Sequence, residues 1–464
     1  MAVPELSPEL ARRIQRETGQ NVFLCTQCVK CTSGCPLAAF FDLQPHQVMR
    51  ALQLGQEELA LNAKTPWLCA SCLTCTTRCP YGLDVARIMD HLTMIARQAG
   101  IAPQVPEVAL FNKAFLRQVD LWGRAYELGL IAELNLRTGQ PFRDLPLGIE
   151  MLRRGKLRLL PSRGRPPEQV RPAEPKPNQI AYYPGCSLHS TARAFDRSAR
   201  AVCQALGLDL VEPPGWMCCG STAAHKTDAD LATELPLRNL ALIEQSGLTE
   251  AALPCAACFN RFRTALYETR ADPELKRRME TRIGIPFQDR VVVRSLLDVL
   301  VNRVGLETIT RQVKRPLAGL RIASYYGCLL LRPPQITGAQ HPENPQDLDR
   351  LMAALGATPV DWSEKTTCCG ASLSLTRADI VLELSRNLIE RARAAGADLI
   401  AVACPLCHAN LDERQAQMHL EMPLPALYFT QLAALALGLG DEAAALHQNM
   451  IDPRPTLALY LGAS

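Results

Sequence analysis

In the N-terminal third of the chain, apolar positions recur with helical spacing. Val48, Leu52, Leu54, Leu59 and Leu61 form one such set, and residues 83–97 form another. Beyond about residue 178 the pattern changes. Short apolar runs suited to buried strands, 180–183 and 320–325, alternate with stretches of helical period, 228–245 and 380–395. Each half of this region reads strand, loop, helix, strand, loop, helix, strand, helix, and such alternation predicts an α/β unit, here written twice. The uncharged segment 422–440 contains Pro423, Pro425 and Gln431. Its helical part, from about Leu427, is too short to cross a bilayer and reads as a buried core helix.

The two regions meet at residues 161–177, where six of 17 residues are proline. This reads as an extended, semi-rigid linker. Arg153, Arg154, Lys156, Arg158, Arg163 and Arg165 make its start basic. A solvated linker and a docking strip for an acidic partner both fit that charge. The expected division is 1–155, a linker at 156–178, a first repeat at 179–318 and a second at 319–464.

With 464 residues, 48% hydrophobic and 21% charged, the chain has ample material for packed cores. A net charge of +4 and only 5% aromatics argue against a nucleic-acid-binding surface. The outlier is cysteine, with 19 residues. The first 20 residues are polar and amphipathic, with no apolar run before a cleavage site. The thiols are therefore expected in a reducing cytoplasm, as metal ligands or redox groups.

Eight cysteines form Cys25-x2-Cys28-x2-Cys31-x3-Cys35-Pro36 and Cys69-x2-Cys72-x2-Cys75-x3-Cys79-Pro80. This is the bacterial ferredoxin spacing, in which the fourth cysteine ligates the other cluster. Cys25, Cys28, Cys31 and Cys79 are expected to hold one cubane [4Fe–4S] cluster. Cys69, Cys72, Cys75 and Cys35 are expected to hold the other. Structural zinc typically uses two CxxC pairs per ion, which two complete runs fit poorly.

Ten more cysteines form the repeat. Cys186-x31-Cys218-Cys219-Gly220-x34-Cys255-x2-Cys258 is followed by Cys328-x39-Cys368-Cys369-Gly370-x33-Cys404-x2-Cys407. Five thiols per copy is one more than a cubane needs. An enlarged iron–sulfur assembly, a zinc site with a spare thiol and a redox-active disulfide pair are the readings this spacing leaves open. Cys203 takes the place of Met352 in the other copy and reads as core.

The arrangement resembles heterodisulfide reductase. Cys69-Ala-Ser-Cys-Leu-Thr-Cys-Thr-Thr-Arg-Cys-Pro80 resembles its C subunit, and Tyr183-Pro-Gly-Cys-Ser-Leu-His-Ser190 with both CCG motifs resembles its B subunit. The chain looks like a C–B fusion. The resemblance implies an α+β multidomain fold: a helical ferredoxin-like domain with two cubane clusters, then a duplicated α/β CCG domain with pseudo-twofold symmetry. It implies a noncubane [4Fe–4S] cluster on each five-cysteine set and cleavage or formation of a disulfide between them. Ferredoxin clusters near roughly −400 mV lie below dithiol couples at roughly −120 to −270 mV, and for two electrons ~100 mV is worth about 4.6 kcal/mol. Flow toward a disulfide is therefore downhill.

Product thiolates need protons. His189, His225 and Lys226 in the first copy have no counterparts in the second and are the candidate donors; His408 reads as structural. No GxGxxG opens a helix, so electrons are expected from a partner. The resemblance implies a flavin-containing A-type subunit, with a hydrogenase or other donor module in electron-bifurcating complexes. Two other classes fit the motifs. One is an electron-transfer subunit of a glycolate, lactate or glycerol-3-phosphate dehydrogenase serving quinone, and the other is a zinc-bearing scaffold.

Overall fold

The computed structural model describes residues 8–164 and 176–461. Most of the proline-rich linker, 165–175, lies outside the described residues. The N-terminal part has no strand among its described residues; helices Pro45–Gln53, Glu57–Leu61 and Val85–Gln98 stand where the periodicity placed them. Its core gathers Ile14, Val48, Leu52, Ile88 and Leu92.

The C-terminal part holds two four-stranded parallel sheets. The first runs β2-β1-β3-β4, with β1 Gln179–Tyr182, β2 Asp209–Val211, β3 Glu250–Leu253 and β4 Val292–Ser295. The second runs β6-β5-β7-β8, with β5 Arg321–Tyr325, β6 Thr358–Pro359, β7 Leu399–Val402 and β8 Ala426–Tyr428. Tyr182 and Ile322 are fully buried, as strands covered on both faces require. The expected order of elements is present in each copy, but each sheet also gains a fourth strand. β8 opens the segment read as a core helix, whose helical part is Phe429–Ala436. Residues of both sheets share one continuous core.

Two smaller apolar clusters join the N-terminal part to the sheets. Trp67, Leu68 and Val105 pack with Leu373, Ile380 and Val381 of the second copy. Val119 packs with Ala224 and Leu235 of the first. Both copies therefore contact the helical part directly.

Candidate functional site

In open α/β sheets, ligands sit beyond the carboxyl ends of the strands, where the strand order reverses. Both sheets put their cysteines there. Cys186 follows β1, Cys218 and Cys219 follow β2, and Cys255 follows β3. Cys328, Cys368, Cys369 and Cys404 follow β5, β6 and β7 in the same way. Cys258 and Cys407 lie in the first turns of the helices after β3 and β7. The chain brings each set of five together although its members lie far apart in sequence.

Local chemistry fixes these loops. Gly185 and Gly327 have φ of 73° and 71°, and an added Cβ would lie 3.0 Å from Cys258 Sγ and 2.8 Å from Cys407 Sγ. Tyr183 donates its hydroxyl to Met217 O at 2.6 Å, and Tyr325 donates to Thr367 O. Each tyrosine thus pins the residue just before a Cys-Cys pair. The repeated Tyr-Tyr carries no local signal of this role, which only the folded loops display.

The ferredoxin-type loops repeat a different device. Gln27 and Val29 in the first, and Ser71 and Leu73 in the second, have positive φ at matching positions. Such backbone is costly for residues with side chains and points inward-turned N–H groups at an anion. Cys25, Cys28, Cys31 and Cys79 line one cavity. Cys35, Cys69, Cys72 and Cys75 line another, of about 410 Å³. All 19 cysteines are free thiols. Among the described residues no three His, Cys, Asp or Glu close in on a point as a single metal ion requires. The eight thiols of the ferredoxin-type loops ring two spaces in fours instead, and four sulfur donors around a space fit an iron–sulfur cluster.

The sets touch one another. Cys72 of the second ferredoxin loop packs with Cys368 in one buried cluster, and each thiol perturbs the other. Cys404 and Cys255 share the core between the two sheets and perturb each other in the same way. The thiols thus run from the ferredoxin loops to the second copy and from there to the first.

A larger cavity, about 1610 Å³ including its open mouth, lies beyond the first copy. All five cysteines of that copy line it, and the second copy contributes Ala371, Ser372, Ser374 and Pro405 but no cysteine. The two five-cysteine sets therefore do not wall this cavity equally. Its cover is the Cys-free stretch of the N-terminal part, through Phe111, Phe115, Leu130, Ile131 and Met151. A buried ion pair, Lys156 to Glu413 at 2.9 Å, and a partly buried one, Arg414 to Asp144 at 3.2 Å, anchor the cover to the second copy.

The three candidate proton donors stand outside this lining. His189 places Nε2 3.0 Å from Glu212 Oε1 and its ring edge-on to Trp216. Burial would raise Glu212, but hydrogen bonds from His189 and Trp216 outweigh it and hold the carboxyl at about 2. His225 Nδ1 meets Asp90 Oδ2 at 2.8 Å. Lys226, itself 3% exposed, donates to the carbonyls of Pro66, Trp67 and Cys69. His225 and Lys226 therefore clamp the helical part onto the first copy. The residue that sequence reasoning missed is Glu127. It lines the cavity, takes a hydrogen bond from Thr191 at 3.2 Å and keeps Oε2 shielded with no partner. Burial pushes its carboxyl up to about 7. Nothing in its sequence surroundings marks it.

Comparisons with known proteins agree with this layout. Residues 180–263 and 322–412 match the Cysteine-rich domain (CCG) family, and residues 24–84 match the 4Fe-4S dicluster domain. The chain is 32% identical over 285 residues to the 8-methylmenaquinol:fumarate reductase membrane anchor subunit of Wolinella succinogenes, covering 59% of this chain and 97% of that one. It is 30% identical over 284 residues to the B subunit of the ferredoxin/F(420)H(2)-dependent CoB-CoM heterodisulfide reductase of Methanosarcina acetivorans, covering 59% and 94%. A probable glycolate oxidase iron-sulfur subunit of Bacillus subtilis is 21% identical, covering 67% and 68%. A crystal structure of a hypothetical protein from Helicobacter pylori shares the fold at TM-score 0.50 and 12% identity, covering 73% of this chain and 61% of that one. With sheet, cysteine sets and relatives in agreement, the chain belongs to the CCG-domain family of heterodisulfide reductase B subunits, joined here to a 4Fe–4S dicluster domain, and is an iron–sulfur electron-transfer protein.

Proposed function

We propose that this chain is the catalytic iron–sulfur subunit of a heterodisulfide-reductase-like complex in the cytoplasm, cleaving a disulfide held in the large cavity. The observation that carries this reading is the succession of neighbouring thiols, Cys72 by Cys368 and Cys404 by Cys255, that leads to that cavity. Cys25, Cys28, Cys31 and Cys79 would hold one cubane cluster, and Cys69, Cys72, Cys75 and Cys35 the other. The two five-cysteine sets would each hold a noncubane cluster in halves related by a pseudo-twofold axis, with the helical domain, linker and repeats divided as the sequence suggests. When bound, these four groups supply one-electron transfer in single steps.

The chain's own residues do the rest. Phe111, Phe115, Leu130 and Ile131 give the cavity an apolar wall, beside which electrostatic contacts strengthen. Breaking one S–S bond takes two electrons and two protons and leaves two thiols. Glu127 Oε2, shielded and unpartnered, gives a proton to one product sulfur, and solvent gives the other. His189, His225 and Lys226 act on position instead: the first orients Glu212, and the other two hold the domains together. Electrons enter from a flavin-containing A-type subunit, supplied by a hydrogenase or similar module.

A second reading is delivery to or from quinone. The apolar wall of the cavity favours it, as does similarity to a subunit of a methylmenaquinol-linked enzyme. Holoprotein reduced with dithionite and freed of excess reductant separates the two. On the first reading the coenzyme M–coenzyme B disulfide or a simple aliphatic disulfide reoxidises it, and Cys186→Ala abolishes this while keeping the ferredoxin-type iron. Reoxidation by a short-chain menaquinone alone would transfer support to the second.

A further inference from the structure

The charges around the large cavity pair off without leaving a cation over. Its lining holds the carboxylates of Glu127, Asp144 and Glu413 and, among the described residues, a single cation, Arg414. Every guanidinium nitrogen of Arg414 is engaged. Nε donates to Ser374 Oγ at 3.3 Å, Nη1 to Gln417 Oε1 at 2.9 Å, and Nη2 to Ser374 O at 2.7 Å and Asp144 Oδ2 at 3.2 Å. Lys156 lies outside the lining and is paired with Glu413 at 2.9 Å. Arg193, within electrostatic reach of Glu127, is also outside the lining and donates to Gly155 O at 3.1 Å. Glu127 is the group left over, with Oε2 shielded and unpartnered.

An anionic substrate entering here gives up its water and meets no free cation among these residues. Burying a charge without a partner is costly, and a site discriminates most sharply by leaving the wrong ligand's charge uncompensated. What the wall offers instead is hydrocarbon. Leu130, Ile131, Leu147 and Met151 come from the cover, and Leu375 and Leu406 from the second copy. Neutral hydroxyls, such as those of Ser221 and Ser372, supply polar contact between them. An apolar pocket with a few neutral polar groups takes a ligand of matching character.

We propose, resting on the disulfide reading above, that the substrate of this cavity is a disulfide with uncharged, mainly hydrocarbon substituents, and that disulfides bearing sulfonate, phosphate or carboxylate groups are rejected. Two electrons from the reduced holoprotein break the S–S bond, and two protons, from Glu127 and solvent, complete the two thiols. Dithionite-reduced holoprotein, freed of excess reductant and kept anaerobic, is mixed with dipropyl disulfide, the neutral bis-hydroxyethyl disulfide or the dianionic bis-ethanesulfonate disulfide. Reoxidation is followed by absorbance, each rate taken relative to that disulfide's rate with a free dithiol. Dipropyl disulfide should react at least about tenfold faster than the dianion, with the hydroxyethyl compound between them. Added salt should leave the dipropyl rate unchanged. Titration calorimetry on oxidised holoprotein, which transfers no electrons, should show dipropyl disulfide binding and the dianion not. Leu147→Arg adds a cation at a half-exposed point of the wall and should raise the dianion's rate about fivefold at unchanged iron content. Ile131→Arg, also half-exposed, repeats the test from a second position. A dianion that reacts or binds as well as the neutral disulfides overturns the inference and leaves the disulfide reading standing. So does a dianion rate that neither iron-replete variant raises. Failure of every disulfide, neutral and charged alike, to reoxidise the protein overturns the disulfide reading and this inference with it.

Discussion

Lys226 offers the sharpest test of how the helical domain is joined to the repeats. Its ammonium is buried and donates to Pro66 O at 3.3 Å, Trp67 O at 3.4 Å and Cys69 O. These carbonyls lead into the loop that ends in Cys69 and Cys72. Lys226→Met keeps the stem and removes the donors. Buried acceptors left unpaired cost about 1–3 kcal/mol each, while removing a buried charge returns part of that. A net loss of about 2–4 kcal/mol shifts the docked state by about 30- to 1000-fold. Undocking would separate Cys72 from Cys368, the contact through which the second ferredoxin loop meets the repeats. Scanning calorimetry should show a lower transition for the N-terminal part. Rapid mixing with dithionite should show normal reduction of the ferredoxin-type half and slowed reduction of the repeat half. A variant that melts and transfers like the parent would refute the clamp, as would iron lost only from the first copy.

Gly327→Ala drives a Cβ to 2.8 Å from Cys407 Sγ on left-handed backbone, so iron should fall by about a quarter of the total, all from the second copy. Gly185→Ala should do the same to the first, and iron analysis with electron paramagnetic resonance checks both. Glu127 sits at about 7, so its acid form is present below that pH and disappears above it. Disulfide turnover should decline as pH rises through 7, and Glu127→Gln should lose about a hundredfold in rate together with that dependence. Burial lowers His225, and its pairing with His225 holds Asp90 low against the burial that would raise it. His225 has a folded-state value below its unfolded one, so the stability it confers is present above the ordinary histidine range near 6.5 and is lost as pH falls, whereas the share of Asp90 is lost only further down, below the ordinary carboxylate range. The melting temperature of the docked domain should drop between about pH 6.5 and 5, and His225→Gln should flatten the slope.

Much of the layout was legible because cysteine spacing is geometric. The CxxCxxCxxxCP runs, the strands at Gln179–Tyr182 and Arg321–Tyr325, and the helices Ala229–Gln245 and Ala378–Ala394 all carry their periods openly. Order in space was not legible. No local pattern says that Cys72 lies by Cys368 and Cys404 by Cys255, because those pairs join residues about 300 and about 150 positions apart. The Cys-free stretch carries no motif, yet Phe111, Glu127 and Met151 make it a wall of the cavity. Its helices show only weak amphipathic bias, because they are apolar on the cavity side and on the outer face alike. His225 and Lys226 stood out as an asymmetry between the copies. Burial against the helical domain turns that asymmetry into docking, a meaning that only the tertiary contacts supply.

The most direct measurement is iron and acid-labile sulfide per chain in protein purified without oxygen. Two cubane and two enlarged sites require about sixteen of each. About eight, with zinc making up the difference in the repeats, would leave the thiol path ending at the ferredoxin loops and remove the basis for chemistry at the cavity.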